Sequence, residues 1–378
     1  MKTNPYQKHK RGYKRKTPYN KSTKRKFQNS KIAIYKNDCT LILPNTKIIP
    51  RNSIDAVVTD PPYGIKFFNK KWDYNIPSVK TFKKILKVLK PGGTLVCFAS
   101  PRTQHRMAIN IEDAGFELRD CLMWLFGSGF PKSQEINSLI KKQFKKNEKT
   151  DSYVQELNQL TKTFEGYRTH ALKPAYEPII IAMKPLEGNY AENAIKYQIS
   201  GLNIDECRLE DKGKKWEKPR GGIWKTDKEA KSILVDNTLG RFPSNIIYED
   251  NDEVRNALIQ SIDDSMNIKD KNKDFITRIF YCAKVKGKSK EENSHPTIKP
   301  VSLMRYICKL VKSPSQCTIL DPFMGSGTTG LACLQENIKF IGIEKEQEYY
   351  DIAKKRIIEE YEKTESAQAN KEFVMNKL

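Results

Sequence analysis

The sequence predicts an α/β fold with a Rossmann-like, doubly wound and largely parallel sheet, interrupted by an inserted region. Apolar runs of strand length alternate along the chain with segments whose apolar residues have helical spacing. Such alternation, with helices of about ten or more residues, is typical of a parallel sheet. Two strands end directly in motifs built on proline or glycine, and a long irregular stretch separates them. At 378 residues the chain is long enough for one large core with an insertion.

The predicted elements follow in a regular order. The run IDAVVT at 54–59 predicts a buried strand, and 81–90 predicts a helix that stops at Pro91-Gly92-Gly93. The later elements are a strand at 94–99, a helix at 103–114, strands at 116–126 and 177–183, a helix at 303–311, a strand at 318–320, a helix at 326–335, a strand at 338–343 and a helix from about 346 to 360.

Two regions break this order. Residues 132–170 are rich in Lys, Gln, Asn and Glu and predict an exposed helix and loop, whereas 186–275 mix Gly, Pro, Trp and charge. A compact core does not need so long an irregular loop, so we expect an insertion with its own role. The predicted organisation is a disordered basic arm at 1–30, one half of the core at 31–130, the insertion at 131–275 with a core strand near 177–183, the other half at 276–362 and a flexible tail at 363–378.

Charge is the strongest compositional signal. The net charge is +23, and residues 1–30 hold eleven Lys and Arg with no acid. That segment has aromatic residues but no Leu, Ile or Val, so it predicts a disordered arm suited to phosphates and bases. The alternative is a general Lys enrichment of the chain. The stretch between Trp216 and Trp224 also allows two interpretations. It fits a loop that reads a DNA groove or a solvated loop that the two tryptophans anchor.

Other compositional features narrow the class of protein. The sequence has no apolar run long enough for a membrane span and no signal-peptide core, so we expect a cytoplasmic protein that does not enter a membrane. The eight cysteines are scattered without a C-x-x-C pair, which predicts neither a metal site nor a disulfide framework.

The motif at 321–329, Asp-Pro-Phe-Met-Gly-Ser-Gly-Thr-Thr, predicts a ligand site at the start of a helix. Gly325 and Gly327 lack a Cβ, so the backbone can turn tightly and approach a ligand closely. No Lys follows Gly327, which disfavours a phosphate-binding P-loop. Glu344 closes the next strand, where an acid can accept hydrogen bonds from ribose hydroxyls. Together these residues indicate a cofactor that contains adenosine.

The motif Asp60-Pro61-Pro62-Tyr63 predicts a site for a planar amine. The lone pair of an exocyclic amine is delocalised into its ring, and acceptors on both N–H bonds favour a geometry in which the lone pair points outward. The Asp60 carboxylate and the Pro61 carbonyl suit this task, and Tyr63 can stack on the ring. A base within a duplex must first be flipped out. The alternative explanation of the motif is an ordinary turn that ends a strand.

These residues resemble the DNA amino-methyltransferases, in the permuted class whose catalytic motif precedes the cofactor motif. The resemblance covers roughly residues 32–360. Asp60-Pro61-Pro62-Tyr63 matches the catalytic tetrapeptide, and 321–327 matches the cofactor loop. Two further segments match the family, HPTIKP at 295–300 and Asn37-Asp38-Cys39, which has Asn in place of the usual Gly. The stretches at 172–178 and 240–247 resemble a subgroup of these enzymes that is often seen in phages and mobile elements.

The resemblance implies methyl transfer from S-adenosyl-L-methionine (SAM) to a base in double-stranded DNA, with the insertion as the target-recognition region. An Asp at the head of the tetrapeptide favours adenine N6 over cytosine N4, which stays an alternative, as does an inactive nucleic-acid-binding protein on the same scaffold. A homodimer and a cognate restriction endonuclease are further expected partners. The implied catalytic residues are Asp60, Pro61, Pro62 and Tyr63, and the implied cofactor residues are Asp38, Lys299, Asp321, Phe323, Gly325, Ser326, Gly327, Thr328 and Glu344.

Overall fold

Twelve strands lie in the part of the chain that the computed structural model describes, which comprises residues 27–127, 129, 131–144, 151–208, 216–218, 233–235, 240, 242–248, 280–281 and 298–375. The strands are β1 (Phe27–Gln28), β2 (Ile32–Lys36), β3 (Ile54–Thr59), β4 (Leu89–Phe98), β5 (Glu117–Leu125), β6 (Tyr176–Met183), β7 (Trp216–Lys218), β8 (Ile233–Val235), β9 (Ile246–Tyr248), β10 (Phe280–Tyr281), β11 (Thr318–Asp321) and β12 (Lys339–Glu344).

Nine α-helices accompany the strands within the described residues. They are α1 (Cys39–Ile42), α2 (Val79–Val88), α3 (Gln104–Glu112), α4 (Ile136–Phe144), α5 (Asp151–Thr163), α6 (Tyr190–Tyr197), α7 (Val301–Leu310), α8 (Thr328–Gln335) and α9 (Gln347–Met375). The helices α4 and α5 occupy the segment 132–170 that the sequence predicted to be an exposed helix and loop, and they contact each other.

Ten strands form one sheet in the order β1-β2-β12-β11-β3-β4-β6-β5-β9-β10, and β7 pairs with β8 separately. The described neighbours are parallel except that β1 runs against β2, and β6 runs against both β4 and β5. Helices lie on both sides of this sheet. The predicted doubly wound and largely parallel α/β fold is confirmed.

The core lies in two layers because the strands bury both of their faces. In β3, Ala56 and Val58 belong to one apolar cluster and Val57 belongs to the other, as the alternation of side chains along a strand requires. The helices α7, α8 and α9 cover the first cluster, and α2 and α3 cover the second. This explains why IDAVVT reads as a continuous apolar run with a single acid.

That single acid, Asp55, fixes the start of β11 against β3. Its carboxylate is buried, accepts a hydrogen bond from the Thr318 backbone N–H at 2.7 Å and pairs with the Lys90 ammonium at 2.6 Å. The two strands are parallel neighbours. The segments that follow them therefore emerge at the same edge of the sheet.

Two boundaries differ from the sequence prediction. The helix α2 ends at Val88, two residues before its predicted end, and β4 begins at Leu89 instead of residue 94. Pro91-Gly92-Gly93 thus lie inside β4 at a register shift, where Gly92 has φ of +74° and the Asn193 side chain donates to the Pro91 carbonyl. At the other end α9 continues to Met375, through part of the predicted flexible tail. Residues 361–375 contain no Gly or Pro and many strong helix formers, which explains the extension.

Most of the predicted basic arm lies outside the described residues. Its last part is described, and there Phe27–Gln28 pairs with Ile34 and Ala33 of β2 as an edge strand. The stretch that links Trp216 to Trp224 is described only at β7. None of the described helices has both the length and the apolar character needed to cross a membrane.

Candidate active site

The two predicted motifs meet where β3 and β11 end. The Thr59 hydroxyl donates a hydrogen bond of 2.7 Å to Asp321 Oδ1, although the two residues are 262 positions apart in the chain. Ligands bind outside the carboxyl ends of the strands in open α/β sheets. The two motifs thus lie side by side at one edge of the sheet. Following the sequence expectation, we name the part around Asp60 the base half and the part around the glycine loop (residues 321–329) the cofactor half.

Asp321 organises the glycine loop from inside. Its carboxylate is 2% exposed and accepts hydrogen bonds from the Thr59 hydroxyl, the Thr329 hydroxyl at 2.6 Å and the Phe323 backbone N–H at 3.1 Å. Burial raises the pKa of Asp321 to about 7, while these hydrogen bonds oppose the rise. The carboxylate therefore holds the loop in shape, and Phe323 packs against the second apolar cluster.

The loop geometry depends on glycine. Gly325 has φ of +52° and Gly327 has φ of +82°, both in the left-handed region that side chains disfavour. A Cβ on Gly327 would stand 3.0 Å from side-chain carbons of Ala353 and Ile357 on α9. The missing side chain of Gly327 lets α9 pack directly against the loop, and α8 starts at the next residue, where the first N–H groups of a helix have no partner within the helix.

Glu344 joins the end of β12 to this loop. Its Oε2 accepts the Gly325 backbone N–H at 2.8 Å, and its Oε1 accepts the Glu346 backbone N–H at 2.7 Å. Burial raises the pKa of Glu344, and the backbone hydrogen bonds oppose that rise. A carboxylate has about four acceptor positions, so Glu344 retains capacity for hydroxyl donors of a ligand.

Asp38 lies beside Glu344 because the Asn37 backbone N–H donates to the Glu344 carbonyl at 2.8 Å. The Asp38 side chain caps α1 by accepting from Thr40, and its other oxygen lies 3.3 Å from the Lys345 ammonium. Burial acts to raise the pKa of Asp38, but the Thr40 and Lys345 interactions outweigh burial and lower it. The carboxylate is therefore a second acceptor at this edge, where the sequence placed it.

Arg356 supports the glycine loop and was not predicted from the sequence. From α9, its Nη1 donates to the Ser326 carbonyl at 2.5 Å and to the Ser326 hydroxyl at 3.0 Å, with Thr328 Oγ1 at 3.4 Å. Burial lowers the pKa of Arg356, while Glu359 and Glu360 raise it. Its position in a charged helix gives no sequence signal that distinguishes it from the surface residues nearby.

The base half is a cluster of four polar side chains centred on Lys299. The Lys299 ammonium lies 2.7 Å from Asp60 Oδ2, 3.2 Å from Glu177 Oε2 and 3.2 Å from the Tyr63 hydroxyl. The Tyr63 hydroxyl donates to Asp60 Oδ1 at 2.7 Å and lies 3.2 Å from Glu177 Oε2. Lys299 is 7% exposed, whereas the Asp60 side chain is 21% exposed and can be reached from outside.

Charges within the cluster oppose one another. Burial raises the pKa of Asp60, Lys299 lowers it and Glu177 raises it further. Burial alone would lower the pKa of Lys299, but Asp60 and Glu177 raise it above its usual value. Burial and both acids raise the pKa of Tyr63 well above its usual value, so Tyr63 stays a neutral donor. The ionised cluster carries two negative charges and one positive charge.

Two members of this cluster differ from the sequence expectation. Lys299 was expected among the cofactor residues, but the structure brings it to Asp60 and Tyr63 just before α7. Glu177 was read only as part of a strand, and β6 carries it into the cluster because β6 enters the sheet beside β4. An acid followed by Pro and an apolar run was the available signal for Glu177.

The turn that carries Asp60 and Tyr63 is held by a buried carboxylate. Asp73 is 2% exposed, and its Oδ1 accepts the backbone N–H groups of Tyr63 at 2.6 Å and Gly64 at 3.0 Å. The Thr103 hydroxyl donates to the Tyr63 carbonyl at 2.8 Å from the other side. The prolines between Asp60 and Tyr63 have no N–H to satisfy, and the contacts with Asp73 and Thr103 fix the end of the turn at Tyr63.

Comparison with known proteins agrees with this geometry. The sequence profile of the N6_N4_Mtase family, described as DNA methylase, matches residues 54–355. The chain belongs to this family. The matched region contains the base half, Lys299, the glycine loop and Glu344, and leaves out Asp38.

Two relatives and one solved structure are similar to this chain at 20–26% sequence identity. It is 26% identical over 273 residues to the Type II methyltransferase M.HindIII of Haemophilus influenzae, a match that covers 72% of this chain and only 65% of that protein. It is 22% identical over 334 residues to the Type II methyltransferase M.HpaI of Haemophilus parainfluenzae, covering 85% of this chain and 74% of that protein. The crystal structure of the M1.HpyAVI–SAM complex has 20% sequence identity and a TM-score of 0.45, covering 86% of this chain and 98% of that one.

Proposed function

We propose that this chain is a site-specific DNA methyltransferase that transfers a methyl group from SAM to the N6 amine of adenine in double-stranded DNA. The observation on which the proposal depends is the hydrogen bond between Thr59 and Asp321. It places the partly exposed carboxylate of Asp60 beside the glycine loop. Membership of the DNA methylase family supports the substrate class.

The residues of the cofactor half fit SAM. Gly325 and Gly327 hold the loop in left-handed conformations, and the carboxylates of Glu344 and Asp38 lie at the end of β12 beside it. Glu344 would accept hydrogen bonds from ribose hydroxyls, and Asp38 would lie near the adenine ring. When bound, SAM supplies an electrophilic methyl group on a sulfonium.

Asp60 would orient the target amine. Its two oxygens already accept hydrogen bonds from Tyr63 and Lys299, but a carboxylate retains further acceptor positions for an amine N–H. The Pro61 carbonyl would accept the second N–H, so that the nitrogen lone pair faces the cofactor half. Positioning of this kind supplies most of the rate enhancement in a direct displacement.

The charge of the cluster suits the course of the reaction. As the N–C bond forms and the S–C bond breaks, positive charge moves to the target nitrogen. Asp60 and Glu177, only partly neutralised by Lys299, would stabilise that charge. The surplus amine proton then leaves to Asp60 or to solvent. Burial raises the pKa of Asp60, and the Lys299 ammonium, 2.7 Å from Asp60 Oδ2, opposes that rise and so favours the ionised carboxylate.

Tyr63 would stack on the flipped base. Its hydroxyl is tethered to Asp60 and its backbone is clamped by Asp73, so its ring has a fixed position beside the carboxylate. Stacking and hydrogen bonding to the base edge are how enzymes read an extruded base. Asp at the head of the motif favours adenine.

The test is methylation of duplex DNA by the purified protein with tritiated SAM, followed by identification of the modified nucleoside and mapping of its site. We expect N6-methyladenine. Asp60→Ala should lower turnover by about 10²–10⁴-fold and leave SAM binding unchanged. The exposed Asp113, changed to Ala, is the matched control and should retain activity.

The possible outcomes of this assay test the target base, the reaction and the role of Asp60 separately. N4-methylcytosine would refute the adenine assignment and keep the reaction class. Label in RNA alone, or no label with intact DNA binding, would refute the proposed function. Full turnover by Asp60→Ala would refute the role of Asp60.

A further inference from the structure

The segment directly after the catalytic turn exposes a large aromatic side chain. In this aromatic loop (residues 66–73), Phe68 is 78% exposed, and its ring meets Phe67 edge-on at 4.5 Å between centroids. Burial of an apolar ring is the usual outcome of folding. An exposed phenylalanine five positions from Tyr63 therefore requires an explanation.

The backbone of the aromatic loop is also unusual. Lys66, Phe68 and Asn69 have φ of +56°, +44° and +53°, and none of them is glycine. Asn tolerates the left-handed region, but a bulky residue such as Phe is rarely found there. Such strain persists only where surrounding contacts impose it, and it is concentrated at functional sites.

The contact that imposes this conformation also holds the catalytic turn. Asp73 Oδ2 accepts the Phe67 backbone N–H at 2.8 Å, while Oδ1 of the same carboxylate accepts the N–H groups of Tyr63 and Gly64. The Lys66 N–H donates to the Asp73 carbonyl at 3.0 Å. One buried residue, Asp73, thus joins the backbone on the N-terminal side of Phe68 to the turn of the base half.

Positive charge surrounds the aromatic tip. Lys66, Lys70 and Lys71 are exposed on the loop, and the Lys132 ammonium lies 5.6 Å from the centroid of the Phe67 ring. A projecting ring bordered by ammonium groups complements stacked bases bordered by phosphates. DNA is therefore the partner whose chemistry this surface matches.

We propose that Phe68 is a wedge that enters the base stack at the position vacated when the target base is flipped toward Asp60 and Tyr63, and that Lys66, Lys70 and Lys71 contact the flanking phosphates. Apolar side chains inserted between base steps stabilise distorted duplexes in this way. The proposal rests on the proposed function and adds how the enzyme holds the duplex open.

The test compares kcat/KM for methylation of two duplexes that carry the mapped site. One is fully paired, and the other has an abasic position opposite the target base, where flipping is easier. Phe68→Ala should lose at least about tenfold on the paired duplex and regain most of that loss on the abasic duplex, because the wedge is then dispensable. Phe68→Trp should retain activity on both. Ile109→Ala, which removes an exposed apolar side chain from α3, is the matched control.

The outcomes separate this proposal from the proposed function. If the wild type methylates the paired duplex and Phe68→Ala does so equally well, the wedge is refuted and the methyltransferase stands. An equal loss on both duplexes would mean that Phe68 serves folding or general DNA affinity, and would also refute the wedge. If the wild type methylates neither duplex, the proposed function fails, and the wedge fails with it.

Discussion

The two halves of the site are held in different ways. In the cofactor half, Asp321 and Glu344 accept hydrogen bonds from backbone N–H groups and hydroxyls, and Gly327 lies in a left-handed conformation against α9. In the base half, Asp60 is partly exposed and its partners are the side chains of Lys299 and Tyr63. The first half is therefore a cradle held largely by backbone contacts, and the second is a charge network held by contacts between side chains.

The largest expected effect comes from breaking the cradle. Gly327→Ala requires a side chain at φ of +82° and places its Cβ 3.0 Å from Ala353 and Ile357. We expect the free energy of unfolding to fall by more than about 1 kcal/mol and SAM affinity to drop at least about 100-fold, measured by denaturant unfolding and calorimetry. Gly166→Ala is the matched control, because Gly166 has φ of +79° and open space around its Cβ position. Normal SAM binding by Gly327→Ala would show that the cradle is not rigid.

A smaller effect is expected from the charge network. Lys299→Met leaves Asp60 and Glu177 without their cation, so the pKa of Asp60 should rise, kcat should fall by about 10–100-fold and the acid limb of the pH profile should move to higher pH. Glu177→Gln removes a charge that raises the pKa of Asp60, so it should move that limb the other way. SAM affinity should not change in either variant.

The control for the charge network is Lys196→Met, which removes an exposed ion pair with Glu187 and should leave kcat unchanged. A rise in the dissociation constant of SAM at constant kcat would instead assign Lys299 to the cofactor half, as the sequence suggested.

The smallest effect on methylation is expected from the protonation of Asp321, which changes the stability of the protein as a function of pH. The pKa of Asp321 is about 7 in the folded protein, against 3.8 for an ordinary Asp. The folded state therefore binds one more proton than the unfolded state between these values, and stability should decrease as pH rises, by up to about 1.4 kcal/mol per pH unit. Urea unfolding at pH 5, 6 and 7 measures the slope. Asp321→Asn should flatten it, and an unchanged slope would exclude Asp321 as its origin.

Much of the scaffold could be predicted because its signals are local. The strands β3 and β11 are short apolar runs that stop at a proline or glycine motif, so the start and the end of each strand follow from its own residues. Pro91-Gly92-Gly93 placed the end of α2 two residues too late, because the chain already enters β4 at Leu89. The irregular part of β4 at these residues contacts Asn193, which lies far along the chain, so the local pattern could not reveal it.

The site was predictable in outline and less so in its contacts. Asp60, Tyr63, Gly327 and Glu344 stand in motifs whose composition indicates their chemistry. Lys299 meets Asp60 across 239 positions, and no spacing rule connects residues that pack through tertiary structure. Glu177, Asp73 and Arg356 are ordinary charged residues in the sequence, and burial beside specific partners gives them their roles.

The hydrogen bond between Thr59 and Asp321 has a consequence for how such a gene can evolve. The two halves of the site meet because β3 and β11 are adjacent in the sheet, whichever of the two strands comes first in the chain. A gene rearrangement that encoded β11 before β3 would rebuild the same edge, provided that the new junction fell in a surface connection. The geometry of this edge therefore does not require the present order of the two motifs along the chain.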